Sequence, residues 1–165
     1  MKDMKTKTNW TSVLNFACAV LMLVLLVCQF TLPFWVDSDG ETATIQGYLW
    51  LCEEDEYKQL SKDLKKDFGK DYRGDIWPMA FLCVLLSVIG IGLILFQSKN
   101  FLVSALPIAC GIIGALGYLQ KPIYQIGNLY VLHLVVCVAI AVVGVAAFVV
   151  GLIAAVKKAK AARIK

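Results

Sequence analysis

The chain has 165 residues, of which 59% are hydrophobic, and its formal net charge is +4. Its mean hydropathy is +0.73, whereas soluble domains are normally about 45–50% apolar. The composition therefore excludes an ordinary soluble domain and favours a protein that is embedded in a membrane.

Four apolar stretches meet the requirement for a membrane-spanning helix, which is roughly 20 mostly apolar residues. They cover residues 11–34, 77–97, 101–119 and 129–156. The other segments are an N-terminal tail (1–10), a large loop (35–76), a turn (98–100), a short loop (120–128) and a basic tail (157–165). The predicted fold class is an all-α membrane protein, a four-transmembrane-helix bundle with a small extracellular β-strand and helix module between the first two spans.

Basic residues near the ends of the spans predict the orientation, because they are retained on the cytoplasmic side. Outside the large loop, only Lys121 lies on the opposite side, and the others fall on one side: Lys2, Lys5, Lys7, Lys99, Lys157, Lys158, Lys160, Arg163 and Lys165. The large loop holds eleven acidic and six basic residues. We therefore expect both termini in the cytoplasm and this loop outside the plasma membrane. A basic tail beside anionic lipid explains the net charge, so membrane lipids are expected partners and nucleic acid is not.

The large loop divides into two parts. Asp37 to Gly40 is a turn signal, and residues 41–52 are rich in residues that favour a β-strand. Residues 53–68 then show a helical pattern with one apolar stripe, formed by Tyr57, Leu60, Leu64 and Phe68. Because an apolar stripe must cover another surface, these four residues are candidate partner-binding residues.

Small residues recur along the third and fourth spans. Small side chains allow helix backbones to approach closely, which stabilises helix pairs in lipid. In the third span, glycines at 111, 114 and 117 favour packing inside the bundle. In the fourth span the residues are Gly144, Ala147, Gly151 and Ala155. They are candidate partner-binding residues, with packing inside the bundle as the alternative.

Residues that carry out chemistry are scarce. The span interiors contain no acidic or basic side chain except His133, for which we expect a hydrogen bond to Gln29 at a similar depth. One histidine cannot form a zinc site, and no nucleophile has a base beside it. Five of the six cysteines lie in spans, and Cys52 is a free thiol, a shielded core residue or an intermolecular link. The sequence therefore predicts no enzyme, no metal and no cofactor.

Trp35 is followed by the element Gly47-Tyr-Leu-Trp-Leu-Cys52. With four spans, a large first outer loop and a short second one, the chain resembles the claudin and peripheral myelin protein superfamily. That resemblance implies a small β-sheet on the helix bundle, anchored by Trp35, Gly47, Leu49, Trp50 and Cys52. The family's second loop cysteine has no counterpart here, and Tyr48 is inserted in the element, so the family's loop disulfide is not expected.

These patterns predict a non-enzymatic accessory subunit that binds a larger membrane protein complex, such as a transporter or a channel. The prediction depends on spans without ion-coupling residues, on small-residue stripes and on an outer module able to cap a partner. Two alternatives stay open. One is a claudin-like homo-oligomer that self-assembles in adhesion or junctions, and the other is a small transporter or channel in its own right.

Overall fold

The computed structural model describes residues 9–31, 33–36, 42–44, 73–119 and 128–163. In these ranges the chain forms four α-helices, one short 3-10 helix and one pair of β-strands. The α-helices are α1 (Trp10–Thr31), α2 (Arg73–Gln97), α3 (Ala105–Leu119) and α4 (Asn128–Arg163). The 3-10 helix, Phe101–Ser104, leads directly into α3.

Local signals explain where several helices begin and end. Asn9 caps α1, since its Oδ1 accepts a hydrogen bond of 3.4 Å from the backbone N–H of Ser12. Asn100 caps the 3-10 helix in the same way, at 3.0 Å from the N–H of Leu102. α1 ends at Thr31, not at the predicted residue 34, because Pro33 lacks the N–H that would continue a helix.

The other two large boundary differences concern α2 and α4. α2 begins at Arg73, four residues before the predicted start at 77. α4 continues to Arg163, so most of the segment predicted as a basic tail from residue 157 is helical. The alanines at 154, 155, 159, 161 and 162 favour this continuation, because alanine has the highest helix propensity.

Two short strands follow α1. β1 (Pro33–Val36) pairs antiparallel with β2 (Thr42–Thr44), with Trp35 opposite Ala43 and an irregularity between Pro33 and Trp35. β1 contacts α4 and β2 contacts α1, so the strand pair lies against the end of the bundle where α1 ends. β2 lies within the segment 41–52 that was predicted to favour a strand, whereas its partner β1 begins in the last two residues of the predicted first span and ends in the predicted loop.

The four helices pack side by side. α4 packs against α1 and α3, and α2 packs against the same two helices. Their shared core contains Cys18, Met22, Leu25, Ile94 and Ile140. α1 over Trp10–Phe30 and α4 over Val131–Arg163 are long and apolar enough to cross a membrane, whereas the apolar stretches Phe81–Gln97 and Phe101–Gly117 are shorter. These lengths and compositions favour association with a membrane.

The bundle places polar side chains inside and large apolar side chains outside. The buried polar side chains of the described residues are Thr11, Asn15, Gln29, Ser87, Ser104 and His133. Exposed large apolar side chains occur on all four helices, and Phe96 is 89% exposed. Soluble proteins bury apolar residues and rarely expose a large apolar patch, so this distribution fits helices whose outer faces lie in an apolar environment.

Candidate partner-binding surface

The small residues predicted to bind a partner lie mostly inside the bundle. Gly144, Ala147 and Gly151 are buried. A Cβ added to Gly144 would lie 2.9 Å from Cγ1 of Ile108, and one added to Gly151 would meet Cβ of Phe101. Because the chain's own helices occupy this face, the assignment of the three residues to a partner surface is corrected. They set the close approach of α4 to α3, the 3-10 helix and α1.

The remaining predicted site residues are only partly placed by the structure. Ala155 is exposed on α4. Tyr57, Leu60, Leu64 and Phe68 lie outside the described residues. So do Gly47, Leu49, Trp50 and Cys52, whereas Trp35 belongs to β1. The loop anchor and the partner-binding stripe of the loop therefore stay predictions.

α4 presents a different set of residues on the side opposite the bundle. Eight exposed residues recur at alternating spacings of four and three, and seven of them are valine. They are Val131, Val135, Val138, Val142, Val145, Val149, Leu152 and Val156. We call these eight residues the valine face. The described parts of the other helices do not cover it.

The spacing of the valine face has a geometric consequence. Alternating steps of four and three repeat every seven residues, so the average period is 3.5 residues. A stripe with this period stays directed toward one neighbouring helix when the two helices form a slight left-handed supercoil. Valine also has one strongly preferred χ1 rotamer in a helix. A valine stripe is therefore rigid before it meets a partner, and it loses little side-chain entropy when another helix packs on it.

A hydrogen-bond network joins α1 to the segment between α2 and α3. Nδ2 of Asn15 donates to the carbonyl oxygens of Ser98 at 2.8 Å and of Asn100 at 3.4 Å. Oδ1 of Asn15 accepts from Oγ of Ser104 at 2.8 Å. Ser12 Oγ and Ser98 Oγ lie 2.9 Å apart and form a further hydrogen bond. Asn15 is fully buried, and this network satisfies its amide, which would be costly to bury alone.

Three buried thiols meet where α2, α3 and α4 come together. Sγ of Cys83 lies 3.6 Å from Sγ of Cys110, and each thiol also lies within 4 Å of the other residue's carbonyl oxygen. Ser87 Oγ lies 3.2 Å from Cys110 Sγ. A Cβ added to Gly114 would lie 2.6 Å from Cys137 Sγ, so this glycine makes room for the third thiol. The five described cysteines are free and buried, as small apolar residues often are.

The described residues add no metal site to this picture. His133 and Gln29 are both buried, as expected of residues that face the bundle interior, and the hydrogen bond between them stays a prediction. In the described ranges, no three His, Cys, Asp or Glu side chains are arranged to hold a metal ion.

Comparison with known proteins gives no relative. No protein-family model matches the chain, and no curated protein or solved structure matches it at a significant level. The resemblance to the claudin superfamily therefore stays a prediction.

Neither the small residues nor the catalytic and metal-binding residue types of the sequence indicate the valine face. The signal was in the sequence, as a repeat of seven valines and one leucine at alternating spacings of four and three from residue 131 to residue 156. Hydropathy could not reveal it, because nearly all of that stretch is apolar. The branched shape of valine distinguishes this face, and hydropathy does not record shape.

Proposed function

We propose that the protein is a four-span membrane protein that acts, without catalysis, as an accessory subunit of a larger membrane protein complex. The valine face of α4 carries this proposal, since it is a regular, rigid helix surface that the described helices leave open. The partner element that fits it is a second transmembrane helix, because only a helix follows a seven-residue repeat along its whole length.

Membrane placement is supported by the distribution of polarity. The exposed apolar side chains surround the bundle, while side chains such as Asn15 and Ser104 are buried and paired with each other. In lipid, exposed apolar side chains have no tendency to associate, so helix association depends on van der Waals packing and interhelical hydrogen bonds. The bundle has both, in its small-residue contacts and in the Asn15 network.

An accessory role fits this surface better than transport by the protein alone. A bound membrane helix would gain packing against the valine face without a hydrophobic contribution, so shape must select the partner. The helices approach closely at the glycines, as at Gly111, where an added Cβ would lie 2.5 Å from the carbonyl oxygen of Cys137. Such close approach supports a scaffold role.

The orientation belongs to the same proposal. The α2–α3 turn, the start of α1 and the last part of α4 lie at one end of the bundle, as the contacts of Asn15 and Gly151 require. Lys99 and the cations of α4 are at this end. We place it in the cytoplasm, because basic residues near span ends are retained there. The β1–β2 pair would then lie outside the plasma membrane.

The test compares two exposed valines. Val142 on the valine face is 62% exposed, and Val20 on α1 is 60% exposed. Val142→Trp and Val20→Trp are purified in mild detergent from native membranes. We expect the wild type and Val20→Trp to retain a larger, unrelated membrane subunit at fixed stoichiometry, and Val142→Trp to lose it. Both variants should melt like the wild type, since neither position is inside the bundle.

Three results would overturn the proposal. Loss of the partner in both variants would show that the valine face is not specific. A homo-oligomer that Val142→Trp dissociates would assign the same face to a second copy of this chain. Solute or ion flux in liposomes that contain this protein alone would identify a transporter or a channel.

A further inference from the structure

The C-terminal part of α4 extends beyond the helix bundle. Gly151 is the last buried residue of α4, and a Cβ added there would lie 3.1 Å from Cγ2 of Thr11. Every residue from Leu152 to Arg163 is exposed. We call Leu152–Arg163 the protruding segment. At 1.5 Å per residue it is about 18 Å long.

The protruding segment is apolar at its start and basic at its end. Leu152, Ile153 and Val156 come first, and then Lys157, Lys158, Lys160 and Arg163. No Asp or Glu occurs anywhere in α4, so the described helix offers these cations no acidic neighbour of its own. The segment therefore has a positive surface that its own helix does not neutralise.

The position of Trp10 locates this positive surface relative to the membrane. Trp10 is the first residue of α1 and is 63% exposed. The next residue, Thr11, lies beside Gly151. Tryptophan is enriched at the level of the lipid headgroups. From Gly151 to Lys157 the helix rises about 9 Å, and the headgroup region adds roughly 5–8 Å on each side of the hydrocarbon core. The first cations therefore lie at the outer edge of the headgroups, within a Debye length of about 8–10 Å.

We propose that the protruding segment binds the anionic phospholipid headgroups of the membrane that contains the protein. This inference rests on the membrane placement in the proposed function. Leu152, Ile153 and Val156 lie between the level of Trp10 and the first cations, and the long side chains of Lys157, Lys158, Lys160 and Arg163 reach back to the phosphates. Binding does not depend on a partner protein, so it adds a lipid preference to the proposed accessory role.

The expected size of the effect follows from the charges. A basic side chain near an anionic leaflet favours binding by about fivefold. The preference should fall as salt is raised, since the headgroup contacts are exposed to solvent. Glutamine has nearly the helix propensity of lysine, so replacing the four cations by glutamine removes charge and leaves the helix formed.

The experiment measures lipid selection directly. The full chain is placed in vesicles of phosphatidylcholine and phosphatidylglycerol, and the association of spin-labelled phosphatidylglycerol is measured relative to spin-labelled phosphatidylcholine. We expect the wild type to prefer phosphatidylglycerol. The variant that combines Lys157→Gln, Lys158→Gln, Lys160→Gln and Arg163→Gln should show a preference at least about fivefold lower.

Two control variants separate the causes. The first control combines Lys157→Arg, Lys158→Arg, Lys160→Arg and Arg163→Lys. It keeps all four positive charges and should keep the preference for phosphatidylglycerol. Lys99→Gln removes a charge at the same end of the bundle, outside α4, and should change the preference little. Circular dichroism of the glutamine variant should match that of the wild type.

The outcomes distinguish the two proposals. Insertion into the vesicles with equal association of both lipids, or an unchanged preference in the glutamine variant, would overturn the lipid inference alone. Failure of the wild type to insert into vesicles would overturn the membrane placement. Inorganic phosphate can also replace chloride at equal ionic strength. Loss of the lipid preference under this condition would show that the protruding segment binds a free anion, which would overturn the inference.

Discussion

The inside and the outside of the helix bundle differ in their content of small and polar residues. Inside, glycine, alanine, free thiols and paired polar side chains let the helices approach closely. Outside, valine, leucine and phenylalanine cover all four helices. The two sides of α4 show the contrast within one helix, with Gly144, Ala147 and Gly151 facing the bundle and the valine face directed away from it. Close internal packing and an available outer surface are therefore separate properties, which substitutions on the two sides can test independently.

The largest expected effect is at Gly111, which faces the backbone of α4. In Gly111→Ala the new Cβ would lie 2.5 Å from the carbonyl oxygen of Cys137 and 2.6 Å from the backbone nitrogen of Ala141. Backbone atoms cannot move aside without shifting a helix, so we expect a loss of more than about 3 kcal/mol in unfolding free energy. Denaturant titration in detergent measures it.

Gly92 is the matched control for this substitution. It lies on α2 with no atom within 4 Å of an added Cβ. Gly92→Ala should be neutral or slightly stabilising, because alanine favours a helix over glycine by about 1 kcal/mol. Equal losses for the two variants would mean that helix contact at Gly111 does not control stability.

Removing the buried amide of Asn15 should have the next largest effect. Asn15→Leu deletes hydrogen bonds to the carbonyls of Ser98 and Asn100 and to the hydroxyl of Ser104. At about 0.6 kcal/mol for each hydrogen bond within a membrane, the loss should be about 2 kcal/mol. Thermal melting would detect it. Ser104→Ala removes one of these bonds and should cost about a third as much, and no change in either variant would argue against the network as a helix anchor.

A larger side chain on the inner face of α4 should lower the unfolding free energy by a smaller amount. Ala147 is fully buried, and Ala147→Val adds two methyl groups there. We expect a loss of about 1–2 kcal/mol, near the lower end of the range for overpacked cores. The same denaturant titration applies. A stable Ala147→Val variant would show that the inner face has room for larger side chains.

The inverse substitution on the outer face should have the smallest effect. Val142→Ala removes two methyl groups from a side chain that is 62% exposed. We expect a change within about 0.5 kcal/mol, as for other surface substitutions, measured by the same titration. A large loss in the isolated protein would mean that Val142 supports the bundle itself, which would contradict the division between the two faces.

The sequence predicted the helices better than it predicted their faces. Runs of apolar residues located all four helices. The end of α1 was placed too late because apolar content alone hid the effect of Pro33. The length of α4 was underestimated because lysines mark a membrane boundary without ending a helix, and the intervening alanines continue it.

The inner and outer sides of α4 could not be assigned from hydropathy. Periodicity locates a buried face only when polar and apolar residues alternate around the helix, and α4 is apolar on all sides between His133 and Lys157. Small residues then fit two interpretations, packing inside the bundle or docking of a partner. The neighbours of Gly144 and Gly151 decide between them, and those neighbours come from α1, the 3-10 helix and α3, which are distant in sequence.

The partners of Asn15 also set an order of events during synthesis. A ribosome makes α1 first, whereas Ser98 and Ser104 are added more than 80 residues later. Until then, the amide of Asn15 has none of these partners, which is unfavourable in an apolar environment. α1 therefore gains the polar partners of Asn15 only after the α2–α3 turn and the 3-10 helix have been made. One buried amide thus makes the final packing of the first helix depend on a segment made much later.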